Sequence, residues 1–216
     1  VLSAALDVPL LPTDHQAGHI RAGIFSTGID SSQPFIAVHT SGGTFELLHI
    51  SSSGYKIVAA TSDISAGQFV DRVGVALGLN FPAGPELEKL ALSYTGHEVP
   101  ITFSCDGCYC SFSGPESAAL RMIGDYSPEC IAYSVFMCVS KVLAKLISCS
   151  AKKLSLTQVL LVGGVAGSSF IKAVLLDLLK DTGITACFCS PTYSSDNAVG
   201  VALIGRDRLM STNKND

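Results

Sequence analysis

The histidines of HQAGH, His15 and His19, stand four residues apart. That spacing places both on one face of a helix. A pair of imidazoles can begin a metal site but rarely completes one, so the chemistry depends on what other segments bring. Asp196, in SSDN, is one carboxylate that could join them. It reads either as a ligand or as an acid favoured at a helix N-terminus, and carboxylate plus imidazole suits iron, zinc or manganese. Two glycine loops offer a second chemistry. In TSGGT, 40–44, Gly42 and Gly43 let the backbone approach a ligand and can aim successive amides at phosphate oxygens. The same dipeptide also closes ordinary hairpins. In LLVGGVAGSSF, 160–170, an apolar run meets Gly163 and Gly164 and then a helix start. This is either a nucleotide loop or a tight strand-to-helix turn. It is neither a P-loop, having no Gly-Lys-Ser/Thr, nor G-x-G-x-x-G. Asp71, one turn after Gly67, could accept from ribose hydroxyls or simply be solvated.

The eight cysteines are Cys105, Cys108, Cys110, Cys130, Cys138, Cys149, Cys187 and Cys189. Several lie in apolar segments such as VFMCVS and ITACFCS, and they read as reduced, mostly buried thiols of a cytosolic protein. The cluster CDGCYC has CxxC spacing, which can hold zinc, run redox chemistry or mark a cysteine-tolerant turn. Only CFC at 187–189 is expected to be able to complete a four-sulfur site with it. The formal charge of −4 gives no broad attraction to nucleic acid, so RNA contact would need a basic patch or a partner protein. Hydrophobic residues make up 48% of the 216 and charged ones 15%, as in a well-buried globular chain. No uninterrupted run of about 18 apolar residues occurs, so no membrane span is expected.

These residues must be positioned by an α/β arrangement. VLSAALDVPLLP has no basic leader and is broken by Asp7; it reads as the end of a helix followed by a short strand, VPLLP. A chain that starts partway through a helix looks like a fragment of something longer. HQAGHIRAGIFST is helical, SSQPF is a boundary, and 35–61 holds three strands joined by Gly or Ser/Gly turns. Helices follow in DISAGQFVDRVGVALGL and ELEKLALSY around the breaker NFPAGP, and again near 115–123 and 127–150. Residues 100–115 are extended and turn-rich. TQVLLVGGVAGSS is a buried strand entering a glycine loop, FIKAVLLDLLKDTG a helix, ITACFCS a strand, and SSDNAVGVALIGRDRLM a final helix opened by good capping residues. The tail STNKND is polar and expected to fray. A strand meander followed by alternating helices and strands places ligands at strand ends.

The order of HQAGH, SGGT, AGQFVDR, FPAGPELEKLA, SFSG, LVGGVAGS and SDNAVG along the chain resembles the tRNA threonylcarbamoyladenosine synthases, long labelled glycoproteases or O-sialoglycoprotein endopeptidases. The resemblance covers roughly residues 1–208. It implies an actin/hexokinase/Hsp70-like ATPase fold. Residues 1–32 would be the remnant of a first RNase H-like subdomain, and 33–216 a second with a helical insertion. About 80–90 residues of such a protein, including its first phosphate loop, would be missing, judged from typical domain size. The final helix would pack back on the remnant, and self-association would cover core left exposed by truncation.

The resemblance also implies a site. His15, His19 and Asp196 match the family's metal ligands, with His39 a fourth at the position of a tyrosine in archaeal and eukaryotic relatives. The set suits one divalent ion, iron or zinc. The other ligand would be ATP or threonylcarbamoyl-adenylate. Ser41, Gly42 and Gly43 would line its phosphates, Asp71 its ribose and Gly84 its nucleoside, with Gly163 and Gly164 cradling it. The threonylcarbamoyl group would pass to N6 of adenosine 37 in tRNA, reached through a cytoplasmic assembly of tRNA-modification proteins. The chain departs from the pattern at GGTFE, at DISAGQFVDR, at SFSGPES, which lacks a lysine, and at Ser168, where an asparagine would contact nucleotide. These changes imply a divergent paralogue, either a transferase or a non-catalytic module that binds metal, nucleotide and partners. A protease is disfavoured, since HxxxH here lacks the glutamate of H-E-x-x-H.

Overall fold

Strands buried on both faces read as continuous apolar runs, and two such runs form the centre of this molecule. In the computed structural model, which describes residues 2–194 and 198–212, Phe35–Thr40 (β1) is buried at every position. It pairs in parallel with Gln158–Val162 (β6) and antiparallel with Phe45–Ser51 (β2). Gly54–Thr61 (β3) continues the meander, and Thr185–Phe188 (β7) lies beyond β6. A short hairpin, Cys105–Asp106 (β4) and Tyr109–Cys110 (β5), extends the other edge. The sheet order is β4-β5-β3-β2-β1-β6-β7. The chain therefore runs outward from β1 in one direction and from β6 in the other.

Strand alternation divides the core in two. Ile36, Val38, Leu47, Val159 and Leu161 face the larger cluster, built with Ala66–Ala76 (α3), Gly84–Ser93 (α4), Ser113–Arg121 (α5), Pro128–Leu154 (α6) and Ser169–Leu179 (α7). Phe35, Ala37, Leu48, Leu160 and Val162 face the opposite side, against Ile20 of His15–Thr27 (α2). Helix α2 is capped by Asp14, whose carboxylate accepts from the Ala17 N–H, and ends at Gly28 in the left-handed region. Leu2–Leu6 (α1) and Pro191–Ser194 (α8) are short, and Val199–Thr212 (α9) closes the chain. As expected, α9 packs back on α2. A β-carbon on Gly200 would overlap the Gly18 carbonyl oxygen, and Arg21 donates to Asp207 at 2.7 Å. Asp196, expected from the sequence to open this helix, lies outside the described residues, as does most of the tail.

Three expectations need correction. VPLLP forms no strand: Val8–Pro12 has no regular structure, and its two prolines remove ladder donors. The thiols are not all reduced, because Cys105 and Cys110, directly opposed across the hairpin, form a disulfide. CFC cannot complete a site with CDGCYC, since β7 and the β4–β5 hairpin occupy opposite edges of the sheet. One helix, α6, is long and apolar enough to cross a membrane by length and composition. It escapes a search for unbroken apolar runs because Lys141 and Lys145 interrupt it. Here it is the core helix, with 72% of its most apolar window buried.

Carboxylates from neighbouring elements cap three of the helices. The N-cap of α5 is Phe112, whose side chain can accept nothing, and Asp63 supplies the missing acceptor. It takes the Phe112 N–H at 2.9 Å, the Ser113 N–H at 3.1 Å and the Ser111 hydroxyl at 2.5 Å. Burial pushes this carboxyl upward. The hydrogen bonds from Ser111, Ser113 and the two amides outweigh it and hold the group well below the usual carboxylate range. A depressed folded value contributes stability above the unfolded value near pH 4, and that stability is lost as pH falls further. Asp63→Ala is expected to cost about 1 kcal/mol at pH 7, the scale of a lost cap at a solvent-screened site. Urea midpoints of variant and wild type should converge as the pH is lowered below about 4; a constant gap would contradict this role.

Candidate functional site

Ligands of open α/β sheets sit beyond the carboxyl ends of strands where the strand order reverses. Here that point lies between β1 and β6. His39, next to last in β1, pairs with Val162 at the end of β6, so the SGG loop and the GG loop emerge side by side. Gly163 makes this contact possible. Its φ is 97°, and an added β-carbon would overlap the Thr40 carbonyl oxygen and lie 3.3 Å from the His39 ring. A second close approach fixes the SGG loop from above. A β-carbon on Gly67 would lie 2.5 Å from the Gly42 α-carbon and from the Ser41 oxygen, so α3 rests on the loop backbone. Ser65, which caps α3, also donates its hydroxyl to the Gly42 carbonyl at 2.7 Å. Within the loop Ser41 and Thr44 close the turn, the Ser41 N–H donating at 2.8 Å and the Ser41 hydroxyl accepting at 3.2 Å.

Between these loops and α4 lies a cleft of about 470 Å³. Gly42, Asp71, Gly84, Gly164 and Ser168 line it. Of the predicted nucleotide set, Ser41, Gly43 and Gly163 do not; Ser41 and Gly163 act one step back, shaping the loops. Val70, Phe136 and Ile171 supply apolar wall, and Glu88, Pro191 and Ser194 also line the cleft. Asp71 already has a structural task. Its Oδ1 accepts the Ala83 and Gly84 N–H groups at 2.8 and 3.1 Å and so caps α4, whose own N-cap alanine cannot. Ser168 caps α7, accepting the Ile171 N–H at 3.1 Å. Glu88, which was not singled out in the sequence, accepts the Phe170 N–H and the Ser169 hydroxyl at 3.0 and 2.8 Å. Its signal was its place in FPAGPELEKLA, the motif that supplies the facing wall.

The histidines meet on the α2 side of the SGG loop. Ring centroids of His15 and His19 lie 4.6 Å apart, His19 and His39 5.0 Å, and His15 and His39 6.5 Å. His19 and His39 are buried at 7% and 3% exposure. Segments 20 residues apart in the chain thus deliver three imidazoles to one place. Among the described residues no three His, Cys, Asp or Glu side chains already surround one point at ligating geometry; Asp196 lies outside those residues. A carboxylate that sequence reading passed over stands alongside. Glu46 is directly opposite His39 in the β1–β2 register, and its Oε2 accepts from Gln16, beside His15, at 2.7 Å.

A model of the family described as tRNA N6-adenosine threonylcarbamoyltransferase (TsaD) matches residues 1–203. A probable bifunctional tRNA threonylcarbamoyladenosine biosynthesis protein of Methanothermobacter thermautotrophicus is 31% identical over 95% of this chain and 38% of its own length. The tRNA N6-adenosine threonylcarbamoyltransferase of Thermosipho melanesiensis is 32% identical over 94% of this chain and 64% of its own. The chain thus spans between about two fifths and two thirds of these relatives. The crystal structure of T. kodakarensis HypF superposes with a TM-score of 0.78 at 17% identity, over 97% of this chain and 38% of that one. The Clostridium difficile activator of 2-hydroxyisocaproyl-CoA dehydratase, with bound ADPNP, superposes at 0.60 and 19% identity, over 94% of this chain and 70% of that one. These likenesses give the fold, which is of the actin/hexokinase/Hsp70-like ATPase type.

Proposed function

The chain belongs to the tRNA N6-adenosine threonylcarbamoyltransferase family, and from that membership we propose that it is a divergent member whose cleft takes ATP or threonylcarbamoyl-adenylate beside one divalent metal. The observation that carries this reading is the convergence of two predicted residue sets on one sheet end. Gly42, Asp71, Gly84, Gly164 and Ser168 line the cleft, and His15, His19 and His39 gather across the SGG loop. The histidines, completed by Asp196, would hold iron or zinc, a donor set that suits either ion. Bound there, the metal would act as template and Lewis acid towards the ligand's phosphates.

The chain's own groups divide the remaining work. The N-terminus of α7 and the Gly164 backbone favour anionic oxygens. Val70, Phe136 and Ile171 suit the faces of a purine. Asp71, with both of its described hydrogen bonds on Oδ1, has Oδ2 to accept from a ribose hydroxyl. The Ser168 hydroxyl, which accepts from Ile171, still has its proton to donate. In the same reading the whole protein acts in the cytoplasm with tRNA and protein partners. On this reading residues 1–32 belong to one RNase H-like subdomain and 33–216 to a second.

The test is displacement of a fluorescent adenine nucleotide from the purified chain by threonylcarbamoyl-adenylate. Single-site competition is expected, weakened roughly tenfold in Asp71→Asn, where about 1.4 kcal/mol of charge-assisted hydrogen bonding is lost. No nucleotide binding to folded protein would sink this reading. Of the non-catalytic module only its binding of partners would then stand, and that reading would lead. That alternative draws on Leu6, Val8, Leu10 and Phe25, all at least half exposed, which a partner or a second copy could cover.

A further inference from the structure

The turn of CDGCYC lies not against β7 but against Cys149 of α6. Cys105 and Cys110 oppose one another across the hairpin and therefore share a face. Cys108 and Cys110 are buried at 8% and 1% exposure, while Tyr109 between them is 50% exposed, so Cys108 points inward with Cys110. Gly107, at φ 59°, makes the tight turn that brings Cys108 back over the core. From below, α6 presents Cys149. Its sulfur lies 3.9 Å from the Gly107 carbonyl oxygen, next to Cys108 in the turn. All four cysteines belong to, or pack against, one core cluster. Lys145 and Lys153, one turn either side of Cys149 on α6, act on it electrostatically.

We propose that in the reduced chain Cys105, Cys108, Cys110 and Cys149 form a four-thiolate zinc site that ties the sheet's hairpin edge to α6. The C-x-x-C-x-C spacing around a Gly turn supplies three donors, and the helix supplies the fourth. Four sulfurs with no competing oxygen select a soft or borderline ion in tetrahedral coordination. The two lysines offset part of the double negative charge of such a centre. Conversion from the disulfide form is balanced. A dithiol reductant opens Cys105–Cys110 and leaves as its own cyclic disulfide; one Zn²⁺ then replaces the four thiol protons. The site is separate from the histidine triangle, with β3 and β2 between the hairpin and β1.

The experiment uses the full chain carrying His19→Ala, so that the histidine site does not contribute. The protein is reduced anaerobically with a dithiol, freed of reagent and titrated with Co²⁺. Expected are intense thiolate-to-cobalt charge-transfer bands saturating at one equivalent and abolished by Zn²⁺. Cys108→Ser and Cys149→Ser should each lose more than the roughly 100-fold that an outer-shell change costs, whereas Cys187→Ser, at the far edge, should not change. Because a serine variant could fail to fold, a second readout uses unsubstituted cysteines. Zn²⁺ should protect these four, and not Cys187, from alkylation read by peptide mass spectrometry. Reduced, folded protein without charge-transfer bands or without protection would overturn the proposal. So would a Cys105–Cys110 bond that survives the dithiol.

Discussion

Gly163→Ala is expected to lower stability by about 3 kcal/mol and to abolish adenine nucleotide binding. The glycine sits at φ 97°, where an alanine is strained by about 1–3 kcal/mol. Its new methyl would overlap the Thr40 carbonyl oxygen, a backbone atom of a buried central strand. Neither cost can be relieved by a side-chain rotation. The β1 and β6 ends would have to separate, and the cleft between their loops would deform. For a chain of this size, 3 kcal/mol is roughly 6–12 °C in Tm. Gly164→Ala is the control. Nothing lies within 4 Å of the added carbon, so the fold should be unaffected while the substituent enters the cleft that Gly164 lines. Circular-dichroism melting with calorimetric nucleotide titration separates the two. Equal stability of the two variants would refute the idea that Gly163 is the closest point between the loops.

The second large effect is expected at the histidines. On the reading that they hold a metal, the purified chain carries about one iron or zinc ion, and His19→Ala reduces this to background. His39→Ala and Asp196→Ala should do the same, although the three residues come from α2, β1 and a segment more than 150 residues later. A ligand that binds only the native state also stabilises it, by about 2.7 kcal/mol at a hundredfold excess over Kd. Added metal should therefore raise the wild-type Tm and leave that of His19→Ala unmoved. Elemental analysis combined with melting at several metal concentrations checks both. Full metal content in His19→Ala would mean that the triangle is packing, not a site.

Much of this site was legible because its signals are local. The i, i+4 spacing of His15 and His19 requires only a helix, and α2 spans the residues that the sequence assigns to it. The SGG and GG loops fall at strand ends because apolar runs stop at glycine pairs. The meander and the alternating helices after it follow from strand-length apolar runs divided by turn residues. The one failed strand, VPLLP, had apolar character but no neighbour to pair with, and pairing is not a local property.

The sequence by itself determined which segments are helix or strand, which residue types could ligate, and where backbone freedom is needed. These depend on periodicity, donor chemistry and glycine's missing β-carbon, all contained within a few residues. The tertiary structure decided which of those groups meet. It brought His39 to His15 and His19, turned Asp71 and Glu88 into caps for helices α4 and α7, and set Cys149, not CFC, against the turn of CDGCYC. The physical reason is that contacts between distant segments are set by sheet order and by the face each strand turns to the core. Those properties belong to the packed whole, and no short stretch of chain contains them.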